Sequence, residues 1–465
     1  MKIVVALIVT ACALCRAANA QVPDFTPQTP LIGALLHNDA AEAKRLLERG
    51  ADPNEGAFGG LPPFLLAVVR QDLEVVRAMA ARGANINVRD RSGATALMWA
   101  AFNETGDAAI VQELLTRGAD PTATNRDGEN ALDWALRRGA TPAAAALRKA
   151  GLSETARIRA SVEKSIALLQ TSSAQFQRVS GCFSCHHQSL PQMALGIART
   201  RGIAVDEDAA RQQLETTVRV LKSVSEAALQ NRDRIPDPPI NVSYALIGLA
   251  AEHYTGDAVT DAMTRVLAAW QNDAGAFHGL PAIRPPLEAS SFAGTALSMR
   301  AIQLYATDQH DRVARASQWL RTARPRTTED RAMQLLGLAW AIAPADDIRR
   351  SMEALIAEQR PDGGWAQLPG LETDAYATGQ ALVALQTAGR AVSEPEYRRG
   401  VAFLLRTQHP DGSWLVRSRT FPVQPYRESG FPHGKNQWIS AAGTSWATMA
   451  LTLALPPETS SPSID

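Results

Sequence analysis

Gln359-Arg360-Pro361-Asp362-Gly363-Gly364-Trp365 and Gln408-His409-Pro410-Asp411-Gly412-Ser413-Trp414 stand 49 residues apart, and their reading decides the fold. A third copy, Gln271-Asn272-Asp273-Ala274-Gly275-Ala276-Phe277, lies 88 residues before the first, two periods of 44, so one intervening unit has lost its signature. Each copy follows a helix with apolar residues at helical spacing, as in Arg399-Gly400-Val401-Ala402-Phe403-Leu404-Leu405-Arg406-Thr407-Gln408, and precedes an alanine-rich second helix. The unit is an αα-hairpin. Carried backwards, the spacing reaches Gln170 and a degenerate copy near Leu221, giving about six units to near Pro457. The Asp-Gly pair makes a tight turn, the aromatic closes the end of an outer helix, and the glutamine can bond exposed helix termini of the neighbour. These roles are structural, so no chemistry is assigned to Trp365 or Trp414.

A different period runs upstream. Arg49-Gly50-Ala51-Asp52, Arg82-Gly83-Ala84-Asn85 and Arg117-Gly118-Ala119-Asp120 recur at intervals of 33 and 35 residues, each after an amphipathic helix such as Ala41-Glu42-Ala43-Lys44-Arg45-Leu46-Leu47. The glycine suits a left-handed helix C-cap, and the Asp or Asn can bond its own backbone in the turn that follows. The period is that of ankyrin repeats. Residues 28–152 resemble an ankyrin array of roughly four units, with Gly93-Ala94-Thr95-Ala96-Leu97-Met98-Trp99-Ala100-Ala101 and Asp127-Gly128-Glu129-Asn130-Ala131-Leu132-Asp133-Trp134-Ala135 standing where that family has its turn and first helix. That resemblance implies a protein partner or a packing extension, and no chemistry.

Residues 156–457 resemble the α/α-toroid superfamily of squalene cyclases and protein prenyltransferases, whose Gln…Gly-x-Trp motif these loops display. The expected fold class is therefore all-α: an ankyrin-repeat solenoid followed by an α/α toroid of about six helical hairpins. The second helices should line the ring, and their starts should form its mouth. A proton-initiated cyclase of that superfamily uses an Asp-x-Asp-Asp cluster, which is absent here, as is the diphosphate-binding Asp-Asp-x-x-Asp. Asp346-Asp347 is the nearest candidate and fits a helix N-terminus better. Terpene cyclisation is disfavoured.

A length of 465 residues suggests two or three folding units. With 47 basic against 47 acidic residues, no global field exists to hold phosphate backbones or anionic lipid, so nucleic acid is a poor partner. Hydrophobic residues at 46% and charged residues at 20% argue against disorder. Residues 1–20 read as a secretory signal peptide: Lys2, the apolar run Ile3 to Leu14, then Ala18-Asn19-Ala20. The expected destination is periplasmic or secreted, with lipoprotein anchoring at Cys12 as a minor alternative. The run is too short to span a bilayer permanently, and no later stretch reaches ~18 consecutive apolar residues, so no transmembrane segment is expected. Removal of the signal takes Cys12 and Cys15 and leaves only Cys182 and Cys185.

Cys182-Phe183-Ser184-Cys185-His186 reads as the attachment motif of c-type haem, in which two thiols form thioethers and the histidine is an axial ligand. Export meets the compartment requirement. His433, in Phe431-Pro432-His433-Gly434-Lys435-Asn436-Gln437-Trp438, is the candidate for the distal side, with Met193 a weaker one. Three rivals stand beside haem: a Cys182–Cys185 disulfide, a structural clip, and zinc. A zinc set would take Cys182, Cys185 and a histidine, completed by Asp374 or His433; the prenyltransferase resemblance implies a catalytic zinc near the mouth held by Asp, Cys and His. Laying Asp374-Ala375-Tyr376-Ala377-Thr378-Gly379-Gln380-Ala381-Leu382 on His187-Gln188-Ser189-Leu190-Pro191-Gln192-Met193-Ala194-Leu195 puts His187 and Asp374 at equivalent mouth positions, although Asp374 also reads as an N-cap. The expected function is haem-based electron transfer with a redox partner, or oxidative chemistry. The alternatives are a non-catalytic protein-binding scaffold and a zinc-dependent toroid enzyme.

Overall fold

The chain divides into two compact units, Met1–Ser153 and Glu154–Asp465. The structure is a computed structural model that describes residues 27–126, 129–151, 153–180, 184–230, 235–279, 284–420 and 428–457. The expected signal segment with Cys12, and Cys182 of the haem motif, lie outside the described residues. Among the described residues no helix is long and apolar enough to cross a membrane.

The first unit is built of four described helix pairs: α1 (Pro30–Leu36) with α2 (Ala40–Glu48), α3 (Pro63–Val69) with α4 (Leu73–Ala81), α5 (Ala96–Ala101) with α6 (Ala109–Thr116), and α7 (Ala131–Leu136) with α8 (Pro142–Lys149). First helices stack on first helices and second on second. The stack buries Ile32, Leu65, Met98, Leu132 and Leu147, a core that no single pair could enclose. The repeated turn behaves as its chemistry demands. Gly50, Gly83 and Gly118 are left-handed at φ 93°, 82° and 84°. Asp52, Asn85 and Asp120 accept from the N–H two residues on at 2.8, 3.1 and 2.8 Å. Asn54 and Asn87 then bridge to the next repeat, donating to Gly83 O and Gly118 O and accepting from the N–H groups of Asn85 and Asp120.

The second unit is a ring of six hairpins. The outer helices are α9 (Glu154–Ser180), α11 (Glu207–Leu229), α13 (Ala258–Ala268), α15 (His310–Thr322), α17 (Ala345–Ile356) and α19 (Pro395–Thr407). The inner ones are α10 (Leu190–Arg199), α12 (Pro238–Ala251), α14 (Ser291–Tyr305), α16 (Thr328–Trp340), α18 (Ala375–Thr387) and α20 (Gln437–Leu453). Successive inner helices pack side by side, and α20 returns against α10 to close the ring. Burial follows the layers: α18 is buried from Ala375 through Leu385, whereas α17 buries only Asp347, Ser351 and Leu355.

The motif loops join neighbouring units. Gln271, Gln359 and Gln408 each donate their amide to the carbonyl of their own turn glycine and to a carbonyl of the next outer helix, Arg312, Glu396 and Ser161 respectively. The last of these joins the sixth unit to the first. Trp365 and Trp414 donate their indole N–H to Leu355 O and Leu404 O in the final turn of the preceding outer helix, at 2.8 and 2.9 Å. Where the signature is lost, Gln334 of α16 donates to Leu320 O and Ala323 O instead. Asp346 and Asp347 fall in the first turn of α17, and Asp347 pairs with Arg321 and Arg350.

Side-chain caps mark the mouth. Ser290, Thr327 and Asp374 cap α14, α16 and α18, accepting from backbone N–H groups two or three residues on. In the first hairpin Ser184 does this, accepting from His187 N at 3.2 Å, and a π-helical turn, Cys185–Ser189, precedes α10. Cap to cap, Asp374 therefore corresponds to Ser184, and His187 corresponds to Ala377. The expected pairing of His187 with Asp374 is three residues out of step, because the cap, and not a recurring Ala-Leu pair, fixes where each helix begins.

Candidate functional site

Two groups of buried polar side chains converge at the ring's mouth. The first is a relay whose proton positions are fixed by one backbone group. Ser429 N–H donates to Gln437 Oε1 at 2.9 Å; a backbone N–H only donates, so that atom is the amide oxygen. The Ser429 hydroxyl gives its single hydrogen to the same oxygen and must accept from His187 Nε2, 2.9 Å away. His187 thus carries its hydrogen on Nε2 and a lone pair on Nδ1. The Nδ1 of His186, in close contact with it, is the donor. His186 is left with an Nε2 lone pair that no hydrogen bond among the described residues engages.

Burial keeps this relay neutral, holding His187 down at about 3 and His186 well below its ordinary value. Phe176 of α9 stacks on His187 at 4.6 Å, Phe431 meets His187 edge-on, and Trp438 of α20 meets His186 edge-on at 5.9 Å. Ser173 of α9 donates to His187 O. The relay thus draws on both α9 and the start of α20, 242 residues separating His187 from Ser429. Cys185 is 2% exposed, and burial pushes its thiol up to about 12.

The second group surrounds a cavity of about 200 Å³, lined among others by Ser290, Glu329, Gln367, Tyr376, Gln380 and Arg419. Glu329 is 5% exposed and accepts from Tyr376 Oη at 3.0 Å. Burial pushes its carboxyl up to about 8, with Asp330 adding to the rise, so Glu329 holds its proton at neutral pH. Arg419 Nε donates to Gln367 Oε1 at 2.7 Å, and Gln367 Nε2 donates to Asp374 Oδ2 at 3.0 Å. Asp374 Oδ1 caps α18 through Ala377 N, and burial pushes Asp374 up to about 6. Both amide atoms of Gln380 and the hydroxyl of Tyr244 are buried without a partner. So are the amide of Gln192, Ser189 Oγ and Trp446 Nε1, which makes the ring's lining polar.

Residues 31–125 and 64–158 match the ankyrin-repeat family, in three copies, and residues 326–462 match the squalene-hopene cyclase C-terminal domain. The chain joins ankyrin repeats to a cyclase-type toroid. No curated protein is found to match it. The cyclase match takes in α16 to α20, hence Glu329, Asp374, Arg419, Ser429 and Gln437 of the toroid, and stops short of Cys185, His186 and His187.

The toroid therefore gathers some of the residues singled out in the sequence and separates others. Cys185, His186 and His187 lie together in the first mouth turn. His433 lies elsewhere: its Nε2 pairs with Ser413 Oγ at 2.8 Å, its ring meets His409 at 4.9 Å, and Phe431 stands between it and His187. Asp374 serves as cap and as the end of the Arg419–Gln367 chain. Met193 is a core residue. Among the described residues no three His, Cys, Asp or Glu side chains converge as metal ligands. Sequence reasoning missed Ser429, Gln437 and Phe176, which carry no motif. It also missed Glu329, for which the Thr327-Thr328-Glu329-Asp330 start of an inner helix was the available signal.

Proposed function

We propose that the toroid carries a c-type haem, bound covalently by Cys182 and Cys185 with His186 as an axial ligand, in an exported protein serving electron transfer or an oxidative reaction. The ankyrin array would dock a protein partner. The observation that carries the reading is the unengaged Nε2 lone pair of His186, set by the Ser429–Gln437 anchor at the far end of the relay. A histidine that ligates iron needs a neutral ring with one nitrogen free and the other held by a hydrogen-bonding neighbour, and His186 meets both conditions. Of the three residues that would hold the group, Cys185 and His186 lie together in the first mouth turn, and Cys182 lies outside the described residues. Once bound, the haem supplies a one-electron change at iron.

The rest belongs to the chain. His187 accepts from His186 Nδ1 and so strengthens electron donation from Nε2. Phe176, Phe431 and Trp438 exclude water from the ring pair and favour the less charged state of whatever His186 holds. Export is supported by Lys2, the apolar run to Leu14 and Ala18-Asn19-Ala20.

Expression of the full chain in a host competent in cytochrome c maturation tests this. The expected product is red, keeps its Soret band after denaturation, and is heavier than its sequence by one haem. His187→Phe should keep the covalent attachment while lowering electron donation from His186, seen as a raised reduction potential. A colourless mature chain with both thiols free overturns the reading and leaves a protein-binding frame.

A further inference from the structure

The cavity at the toroid mouth makes no use of the histidine relay, and its lining has unmet hydrogen-bonding capacity. Gln380 is 0% exposed; its amide faces the Glu329 carboxyl, but neither Nε2 nor Oε1 makes a hydrogen bond of ordinary geometry. Leaving two such atoms dry is costly, about 1–3 kcal/mol each, unless something else fills the space. Arg419 is half-buried and gives its Nε to Gln367, and among the described residues its two terminal guanidinium nitrogens have no hydrogen-bond or carboxylate partner. The neighbouring acids are committed. Asp330 accepts from Ser290 Oγ, Arg326 N and Thr327 N, Asp374 accepts from Ala377 N and Gln367, and Glu329 accepts from Tyr376.

We propose that this cavity binds a small organic carboxylate, its anionic group on the Arg419 guanidinium and a second oxygen on the Gln380 amide beside the Glu329 carboxyl. The Arg419 guanidinium, the Gln380 amide N–H₂ and the Glu329 acid O–H are donors in the lining, while the Asp330 carboxylate, also in the lining, is taken up by Ser290 Oγ, Arg326 N and Thr327 N. That selects an acceptor-rich, negatively charged ligand. A volume of about 200 Å³ corresponds to roughly seven waters at ~30 Å³ each, below the ~300 Å³ at which drug-sized pockets begin. A long hydrocarbon exceeds this volume.

Glu329 makes the site pH-sensitive. Facing it are Tyr376 and Gln380 from α18, Tyr244 from α12, Arg419 from the segment before α20, and Asp330 on its own helix. Burial holds both tyrosines in their neutral form, so Glu329 is the group that ionises first above neutrality. Its negative charge then opposes the bound carboxylate.

Calorimetric titration of the full chain with lactate, pyruvate and glutarate in turn, at pH 6.5, tests the proposal, with propane-1,2-diol as the uncharged counterpart and inorganic phosphate as the alternative anion. At least one carboxylate should saturate a single site while the diol does not. Affinity should fall tenfold or more in Arg419→Gln, a change on a half-buried side chain that leaves the fold intact by circular dichroism, and likewise in Gln380→Leu. Wild-type affinity should weaken as pH passes 8, and Glu329→Gln should bind with no such break. The idea is overturned if none of the three carboxylates saturates a site, if phosphate alone binds, if the diol binds as well as the acids, or if folded Arg419→Gln binds like wild type.

Discussion

Replacing Gly412 by alanine should strain the ring where its last loop meets its first helix, and replacing Gly389 by alanine measures how much of that strain is local. Both glycines lie in the second unit with nearly the same left-handed backbone, φ 91° and 90°. A Cβ at 389 meets nothing within 4 Å, whereas one at 412 comes within 2.8 Å of the Lys164 carbonyl carbon and 2.9 Å of its oxygen. The left-handed penalty common to both is about 1–2 kcal/mol. Only Gly412→Ala adds an encounter with main chain, which cannot swing aside as a side-chain tip would, and that adds about 1–3 kcal/mol more. Urea unfolding followed by tryptophan emission suits the comparison, because seven of the nine tryptophans fall after residue 153. The expected order is wild type, Gly389→Ala, then Gly412→Ala, with the second gap about 1–3 kcal/mol. Equal losses in the two variants would mean that Lys164 does not press on the turn, and the closure described here would be refuted. Gly363, whose Cβ would lie 2.5 Å from Arg399 O, should behave like Gly412.

Other perturbations probe separate parts of the argument. Glu329 has a folded pKa raised from 4.5 to about 8, so the native ring keeps a proton that the unfolded chain releases. Stability through this group is greatest below pH 4.5, falls by up to about 1.4 kcal/mol per pH unit as pH rises to 8, and is flat above; Glu329→Gln should remove that slope in denaturation curves, and an unchanged slope contradicts the assignment. Gln408→Leu removes the bonds from its Nε2 to Ser161 O, Ser165 Oγ and Gly412 O and should cost about 1–3 kcal/mol by urea unfolding; a loss no larger than that of exposed Gln230→Leu would remove its stapling role. Asp374→Asn should keep the helix cap and Asp374→Ala should lose about 1 kcal/mol, read by thermal unfolding, and equal stabilities would deny the cap. In the first unit, Asn87→Ala breaks the bridge to Gly118 and Asp120 and should destabilise that unit by about 1–2 kcal/mol in unfolding followed by far-UV circular dichroism, leaving the tryptophan-detected ring transition in place.

What was legible in the sequence is what repeats. The Gln…Asp-Gly-x-Trp loops and the Arg-Gly-Ala-Asp turns each solve a local problem, a left-handed turn beside a helix end, and the same solution recurs at each unit, so their roles could be read before the chain was folded. The mouth is different. His187 meets Ser429 from the far end of the chain, and a serine in an irregular segment has no periodic signal. Glu329 looks like any acid in the first turn of a helix until burial against Tyr376 and the inner ring removes its water. The alignment of His187 with Asp374 is out of register for a related reason: Ala-Leu pairs recur along alanine-rich helices and carry no register, whereas the caps Ser184 and Asp374 do. His433 drew attention as a histidine near aromatic residues, yet its hydrogen bond to Ser413 ties it to the motif turn.

Gln408 reaches Ser161 just as Gln359 reaches Glu396 and Gln271 reaches Arg312. The seam between the two ends of the toroid is closed by the same glutamine-to-carbonyl bond as these two internal joints. Where the polypeptide is cut is then an accident of its gene rather than a property of the shape. A version spliced end to end and opened between two other hairpins should assemble the same circle, with each unit able to serve as the opening one.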